Sequence, residues 1–170
     1  MKTLTVTALL CAVMALTTAA ALPEEMSGEE PEERHLVKWS FFCPYGWTRY
    51  SGRCYRFISR AMSWGRAENN CLDLGGHLAS VRNVLEYREI QEVITSADLS
   101  SPQTWVGGYN AQEVNQWFWS DGTRLDFTMW APGEPNNYQG RQRCIQMNFG
   151  DGKAWDDVEC WTERPSICAK

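Results

Sequence analysis

The sequence predicts an α+β domain with two helices, a small mixed or antiparallel sheet, long loops and three disulfides. Three observations predict it. Apolar residues recur every three or four positions in two stretches, short β-prone segments separated by turn residues follow Pro102, and six cysteines remain once the first 21 residues are set aside.

Residues 1–21 read as a secretory signal, with Lys2 as the charged start, an apolar run from Val6 to Leu16, and Ala19-Ala20-Ala21 as the small-residue cleavage pattern. The run is short for a membrane span, and no later segment approaches ~20 apolar residues. A secreted, extracellular protein without a membrane span is expected. Residues 22–38 hold six glutamates and two prolines but almost no large apolar side chain, so burial cannot offset their ordering entropy. They are read as a flexible acidic tail or a removable pro-segment, leaving residues 39–170 as the domain.

At 44% hydrophobic and 22% charged, the 170-residue chain has the composition of one ordinary domain plus extensions. The full chain carries a net charge of −5; three basic and six acidic residues lie in 1–39, so the remainder stands at −2. That near-balance, without a basic stripe, argues against nucleic acid as a partner.

Cys43, Cys54, Cys71, Cys144, Cys160 and Cys168 form an even set in an exported domain, which favours disulfides over free thiols. Six cysteines permit fifteen pairings, and spacing does not choose among them. Zinc is disfavoured because no CxxC pair occurs and only His35 and His77 are available.

Between Cys43 and Cys54, the turn signals Pro44-Tyr45-Gly46 and Ser51-Gly52 flank β-prone residues and predict a hairpin running into a strand at Cys54–Ile58. Trp64, Ala67, Cys71 and Leu74 share one helical face, with Ser63 as N-cap and Gly75-Gly76 as the stop. A second helix from about Val84 to Ser96 is expected to bury Val84, Tyr87, Ile90 and Ile94. Beyond Pro102, strands are expected at Thr104–Gly108, Gln116–Trp119, Cys144–Asn148, Trp155–Val158 and Ser166–Cys168. The tryptophans among them are assigned to the core, where rings of that size dominate.

One region concentrates oxygen-bearing side chains. Glu134, Asn136 and Gln142 precede Cys144, and Asp156 and Asp157 precede Cys160. Carboxylates and amide carbonyls are the donors that a hard divalent ion such as calcium takes six to eight at a time. Neither histidine is near them in sequence and no Ser/His/Asp set presents itself, so no enzyme activity is expected.

From Cys43 to Lys170 the order of features resembles the C-type lectin-like domain in its long form. The resemblance is carried by the Cys43/Cys54 hairpin, the two helices, Trp105-Val106-Gly107-Gly108 at the family's WIGG segment, the loop triplet Glu134-Pro135-Asn136, and Trp155-Asp156-Asp157 at its WND segment. Within that family the chain looks most like the small secreted fish lectins and the type II fish antifreeze proteins. The resemblance implies the pairings Cys43 with Cys54, Cys71 with Cys168 and Cys144 with Cys160, and a cis bond before Pro135.

It also implies one calcium site on Glu134, Asn136, Gln142, Asp156 and Asp157. There a sugar's vicinal hydroxyls would complete the metal shell while bonding to Glu134, Asn136, Gln142 and Asp156, with Tyr138 a candidate to stack on the sugar. Glu134 and Asn136 match the family's mannose-type pair, but Gln142 stands where the family commonly has Glu and Asp156 where it has Asn. Acid and amide have traded places, an order that resembles the galactose type in mirror image. Asn137 and Arg143 occupy positions where acidic ligands of an auxiliary calcium site usually stand, so one ion is expected.

The resemblance thus implies a carbohydrate-binding lectin that recognises glycans of microbes or glycoproteins. Single sugar contacts are weak, which makes a homo-oligomer the expected form, although no coiled-coil stretch specifies one. Ice binding is the alternative, weakened by the additional disulfides that type II antifreeze proteins carry. Calcium-independent protein recognition is a third reading, with no sequence feature of its own.

Overall fold

Arg53 to Met62 form the longest strand, whose Tyr55 and Phe57 pack into one apolar cluster while Ile58 and Met62, of the opposite parity, pack into the other. A computed structural model describes residues 42–110, 113 and 116–170, so the expected signal at 1–21 and acidic segment at 22–38 lie outside the described residues. The strands are β1 (Thr48–Tyr50), β2 (Arg53–Met62), β3 (His77–Leu78), β4 (Thr104–Tyr109), β5 (Phe118–Trp119), β6 (Cys144–Phe149), β7 (Ala154–Val158) and β8 (Arg164–Ala169). Their order is β1-β2-β8-β4-β6-β7, with β3 added to β8 and β5 to β4. Among the described strands, β4 and β8 are the one parallel pair, so the sheet is mixed. The described chain closes on itself, since Cys54 and Lys170 exchange backbone hydrogen bonds at 2.9 and 3.0 Å.

Helix α1 spans Trp64–Asp73 and buries Ala67 and Cys71. Ser63 is its N-cap residue, but its hydroxyl makes no capping bond. The helix stops as expected: Gly75 takes a φ of +78°, and the Gly76 amide returns to the Cys71 carbonyl at 2.9 Å. Helix α2 spans Val84–Ala97, and its Asn83 cap accepts from the amides of Leu85 and Glu86 at 3.0 and 2.9 Å.

The expected burial of Val84 is corrected: it sits at the first helical position, 39% exposed, and the apolar face begins at Tyr87 and continues through Ile90, Val93 and Ile94. Glu86 is buried in its stead. Its carboxylate accepts from Arg53 at 2.6 Å, Tyr55 at 2.6 Å, and the Arg82 amide and guanidinium at 2.6 and 3.0 Å. Burial pushes the Glu86 pKa up, but these donors outweigh it and hold it at about 2, against an ordinary 4.5.

A carboxylate depressed in the folded state stabilises fully above its unfolded pKa and loses that contribution as pH falls toward the folded value. At about 1.4 kcal/mol per pH unit, the drop from 4.5 to about 2 is on the order of 3 kcal/mol. Denaturant titrations between pH 5 and pH 2 should therefore show stability falling with acid, and Glu86→Gln should remove much of that slope.

Two apolar clusters form the core, and Trp105, Trp119 and Trp155 are fully enclosed in it. Trp155 is met edge-on by Trp119, Phe127 and Trp130 at ring distances of 5.6, 5.8 and 5.7 Å. The two residues after it, Asp156 and Asp157, are thereby held on a rigid base. The Gly107-Gly108 pair follows from close packing. A β-carbon on Gly107 would lie 2.7 Å from the Leu78 carbonyl oxygen, and one on Gly108 would lie 2.3 Å from Ile145.

Disulfides join Cys43 to Cys54, Cys71 to Cys168 and Cys144 to Cys160, the pairings the resemblance implies. Between β5 and β6 the chain forms no strand, and its only helical turn is a 3-10 turn at Tyr138–Gly140. A loop of that length inside a small domain is where function is expected.

Candidate metal and ligand site

The loop reaches β7 by backbone pairing. Trp155 donates to the Met129 carbonyl at 2.7 Å, Ala131 donates to the Trp155 carbonyl at 2.8 Å, and Glu134 closes a turn on Ala131 at 3.0 Å. Those bonds bring Glu134 beside the end of β7, and the Glu134–Pro135 peptide is cis. Asp157, fully buried, then accepts from two successive loop amides, Asn136 and Asn137, each at 2.9 Å. One carboxylate thus fastens the loop to the sheet.

Beyond it the chain turns tightly, with Asn137 at a φ of +45° and Gln139 at +54°. Asparagine tolerates that left-handed region better than most residues, partly because its side chain bonds locally. Here the Asn137 side-chain oxygen accepts from the Gln142 amide at 3.2 Å. The side-chain oxygens of Asn136 and Gln142 both accept from the Tyr138 amide, at 2.8 and 2.6 Å. The Asn136 side-chain nitrogen donates to Glu134 at 2.8 Å, which links the amide pair to the acids.

Glu134, Asp156 and Asp157 each present a carboxylate oxygen, all within 4.8 Å of one another. Burial and then the neighbouring Asp156 charge push Glu134 up to about 6. Burial also raises Asp156, while donation from Gln146 works against the rise. Three acids gathered in a partly dry site repel one another, and a cation among them would relieve both the repulsion and the desolvation. The donors are all oxygens, with no thiolate or imidazole, which suits a hard ion such as calcium. The carbonyls of Asn136 and Gln142 each keep a second lone pair beside the bond to Tyr138. The residues present therefore fit such an ion.

All five oxygen-bearing residues named from the sequence lie on this loop and on β7, the three acids converging directly and the two amides converging at Tyr138. Tyr138 is 62% exposed. Asn137 donates its amide to Asp157 on β7 and accepts from the Gln142 amide, and Arg143 donates to the Gly140 carbonyl at 3.3 Å. Among the described residues, no second group of acids, histidines or cysteines gathers in the same way. His77 pairs with Glu68 at 2.6 Å, between β3 and α1.

Sequence reasoning missed two residues. Gln146, 2% exposed on β6, donates to Asp156 at 2.8 Å, and Arg164 at the start of β8 donates to the Gln146 carbonyl at 2.9 Å. The only signal in the sequence was a glutamine among apolar residues of a strand.

The family model for the Lectin C-type domain matches residues 60–170. The chain belongs to the C-type lectin domain family. Ladderlectin of Oncorhynchus mykiss is 38% identical to this C-type lectin domain protein over 175 residues, covering 98% of this chain and 92% of that protein. The galactose-specific lectin nattectin of Thalassophryne nattereri is 36% identical over 128 residues, covering 75% and 80% respectively. A solved structure described as a Ca2+-dependent type II antifreeze protein in its Ca2+-free form superposes with a TM-score of 0.70 at 39% identity, covering 75% of this chain and 99% of that one. The C-type lectin fold of this chain, with two helices, a mixed sheet and three disulfides, is the one the sequence predicts.

Proposed function

We propose that this C-type lectin domain is a secreted carbohydrate-binding module that holds its sugar through one calcium ion on Glu134, Asn136, Gln142, Asp156 and Asp157. The observation that carries the reading is the convergence of three carboxylates, two of them buried, beside two amide carbonyls on a loop fastened to the sheet. A bound calcium ion supplies coordination to two vicinal sugar hydroxyls. The side chains then orient the sugar, because amide nitrogens donate to hydroxyl oxygens and carboxylates accept from hydroxyl protons. With Gln142 donating and Asp156 accepting, the second pair reverses the mannose-type order. Together with the similarity to a galactose-specific lectin, this favours a ligand of the galactose class. A signal at 1–21, a separate acidic segment at 22–38, extracellular glycans of microbes or glycoproteins as partners, and a homo-oligomer that gains avidity complete the reading.

Calorimetric titration with calcium, then with sugar in calcium and in chelator, tests it. Uptake of one ion and sugar heat only in its presence are expected; absence of calcium heat would remove the mechanism. Elution from an immobilised-sugar column should favour galactose, and clean mannose selectivity would overturn the sugar assignment. Because only the folded site binds, calcium at about 100 times its Kd should add roughly 2.7 kcal/mol to stability, an increment that chelator removes.

Ice binding is the second reading, favoured by the 39% identity to a type II antifreeze structure. Thermal hysteresis measured with and without chelator separates the two. Clear hysteresis would place ice above sugar as the ligand.

A further inference from the structure

The exchange of acid and amide in the second pair has a structural partner outside the five-residue set. Gln146 lies directly across the β6–β7 ladder from Asp156 and is buried. Its two ends are not equivalent. A guanidinium has only donors, so the end of Gln146 that meets Arg164 must be the carbonyl, as the 2.9 Å contact from the Arg164 Nε shows. The other end is then the amino group, and it faces Asp156 Oδ2 at 2.8 Å. Whatever occupies position 156 must accept there.

An aspartate meets that demand and still has a carboxylate oxygen for the acid cluster. An asparagine would have to aim its single oxygen at Gln146, so that one atom would serve both Gln146 and an ion, and an amino group would stand where aspartate has its second oxygen. An amide NH2 is no ligand for a metal ion, so an amide at this position offers fewer acceptor atoms than the acid does. We propose that Gln146, oriented by Arg164, is a positioning residue that favours an acid over an amide at position 156 and so sets the reversed order of the second pair. The inference rests on the proposed calcium site for its functional consequence, but the hydrogen-bond direction it invokes exists without metal.

Thermal unfolding in chelator tests that direction. Gln146→Glu sets two carboxylates against each other and should lower Tm; adding Asp156→Asn lets the asparagine donate to Glu at 146, so the double variant should recover and the two changes should be strongly non-additive. Calcium titration tests the consequence. Asp156→Asn should weaken binding by roughly tenfold or more, because it removes a charge and leaves one oxygen to serve both Gln146 and the ion. Adding Gln146→Met, which introduces no charge and no longer demands an acceptor, should tighten calcium binding by about threefold or more relative to Asp156→Asn alone. Additive effects on Tm, or no recovery with methionine, would overturn the inference. A wild-type chain that takes up no calcium would overturn the calcium reading instead, and the chelator measurements would then decide the role of Gln146 by themselves.

Discussion

Asp157→Asn should weaken calcium binding severely and also destabilise the metal-free domain. The carboxylate is fully buried, accepts from the Asn136 and Asn137 amides at 2.9 Å each, and contributes one of the three converging acid oxygens. Asparagine has the same shape but one acceptor, so one of the two loop amides would face an amino group. An unsatisfied buried donor costs about 1–3 kcal/mol, and the charge assistance lost from the remaining bond adds to it. A loss of roughly 2–4 kcal/mol in chelator is expected from denaturant titration. Calcium affinity should fall by about 100-fold or more, since a ligand, a charge and the loop's position go together. Lost calcium binding with unchanged metal-free stability would show that Asp157 is a ligand alone and that the loop is fastened by other contacts.

The acids and amides of this site were legible because their chemistry is carried by residue type: carboxylates concentrated between two cysteines stand out whatever the register. Gln146 was not. Every residue from Cys144 to Met147 is buried, so β6 lacks the alternation that separates a core face from a solvent face, and a polar residue in it signals no direction. Its meaning depends on the register that sets Gln146 against Asp156 and on a strand from the far end of the chain that brings Arg164 alongside. Val84 failed for a different reason. Periodicity extends naturally to the first turn of a helix, but the helix enters from the solvent side, and the buried position in that turn belongs to Glu86, whose partners Arg53 and Tyr55 come from β2. The glycines at 107 and 108 were readable as a strand end, whereas their cause, the close approach of Leu78 and Ile145, appears only in three dimensions.

Replacing Cys71 and Cys168 together by alanine should produce the largest loss of stability with little loss of function at low temperature. This disulfide closes a separation of 97 residues, joining α1 to β8, and both cysteines are fully buried. Chain-entropy reasoning assigns about 4.7 kcal/mol to a closed loop of about 100 residues and about 3 kcal/mol to one of about 15, with measured losses of about 2–5 kcal/mol for native bridges. Cys144–Cys160, with a separation of 16, therefore has the smaller expected effect on the unfolded chain. Its position reverses the functional ranking. Cys144 opens β6 opposite Val158, and Cys160 follows β7, so that bridge ties the ends of the two strands that present Gln146, Asp156 and Asp157. Denaturant titration should show the Cys71/Cys168 variant losing more stability than the Cys144/Cys160 variant. Calcium titration well below either transition should show the first within about threefold of wild type and the second weakened by roughly tenfold, because only the second loosens the supports of the ligands. Equal effects of the two bridges on calcium affinity would mean that the site is held by the β6–β7 ladder and the Trp155 cluster without help from its own disulfide.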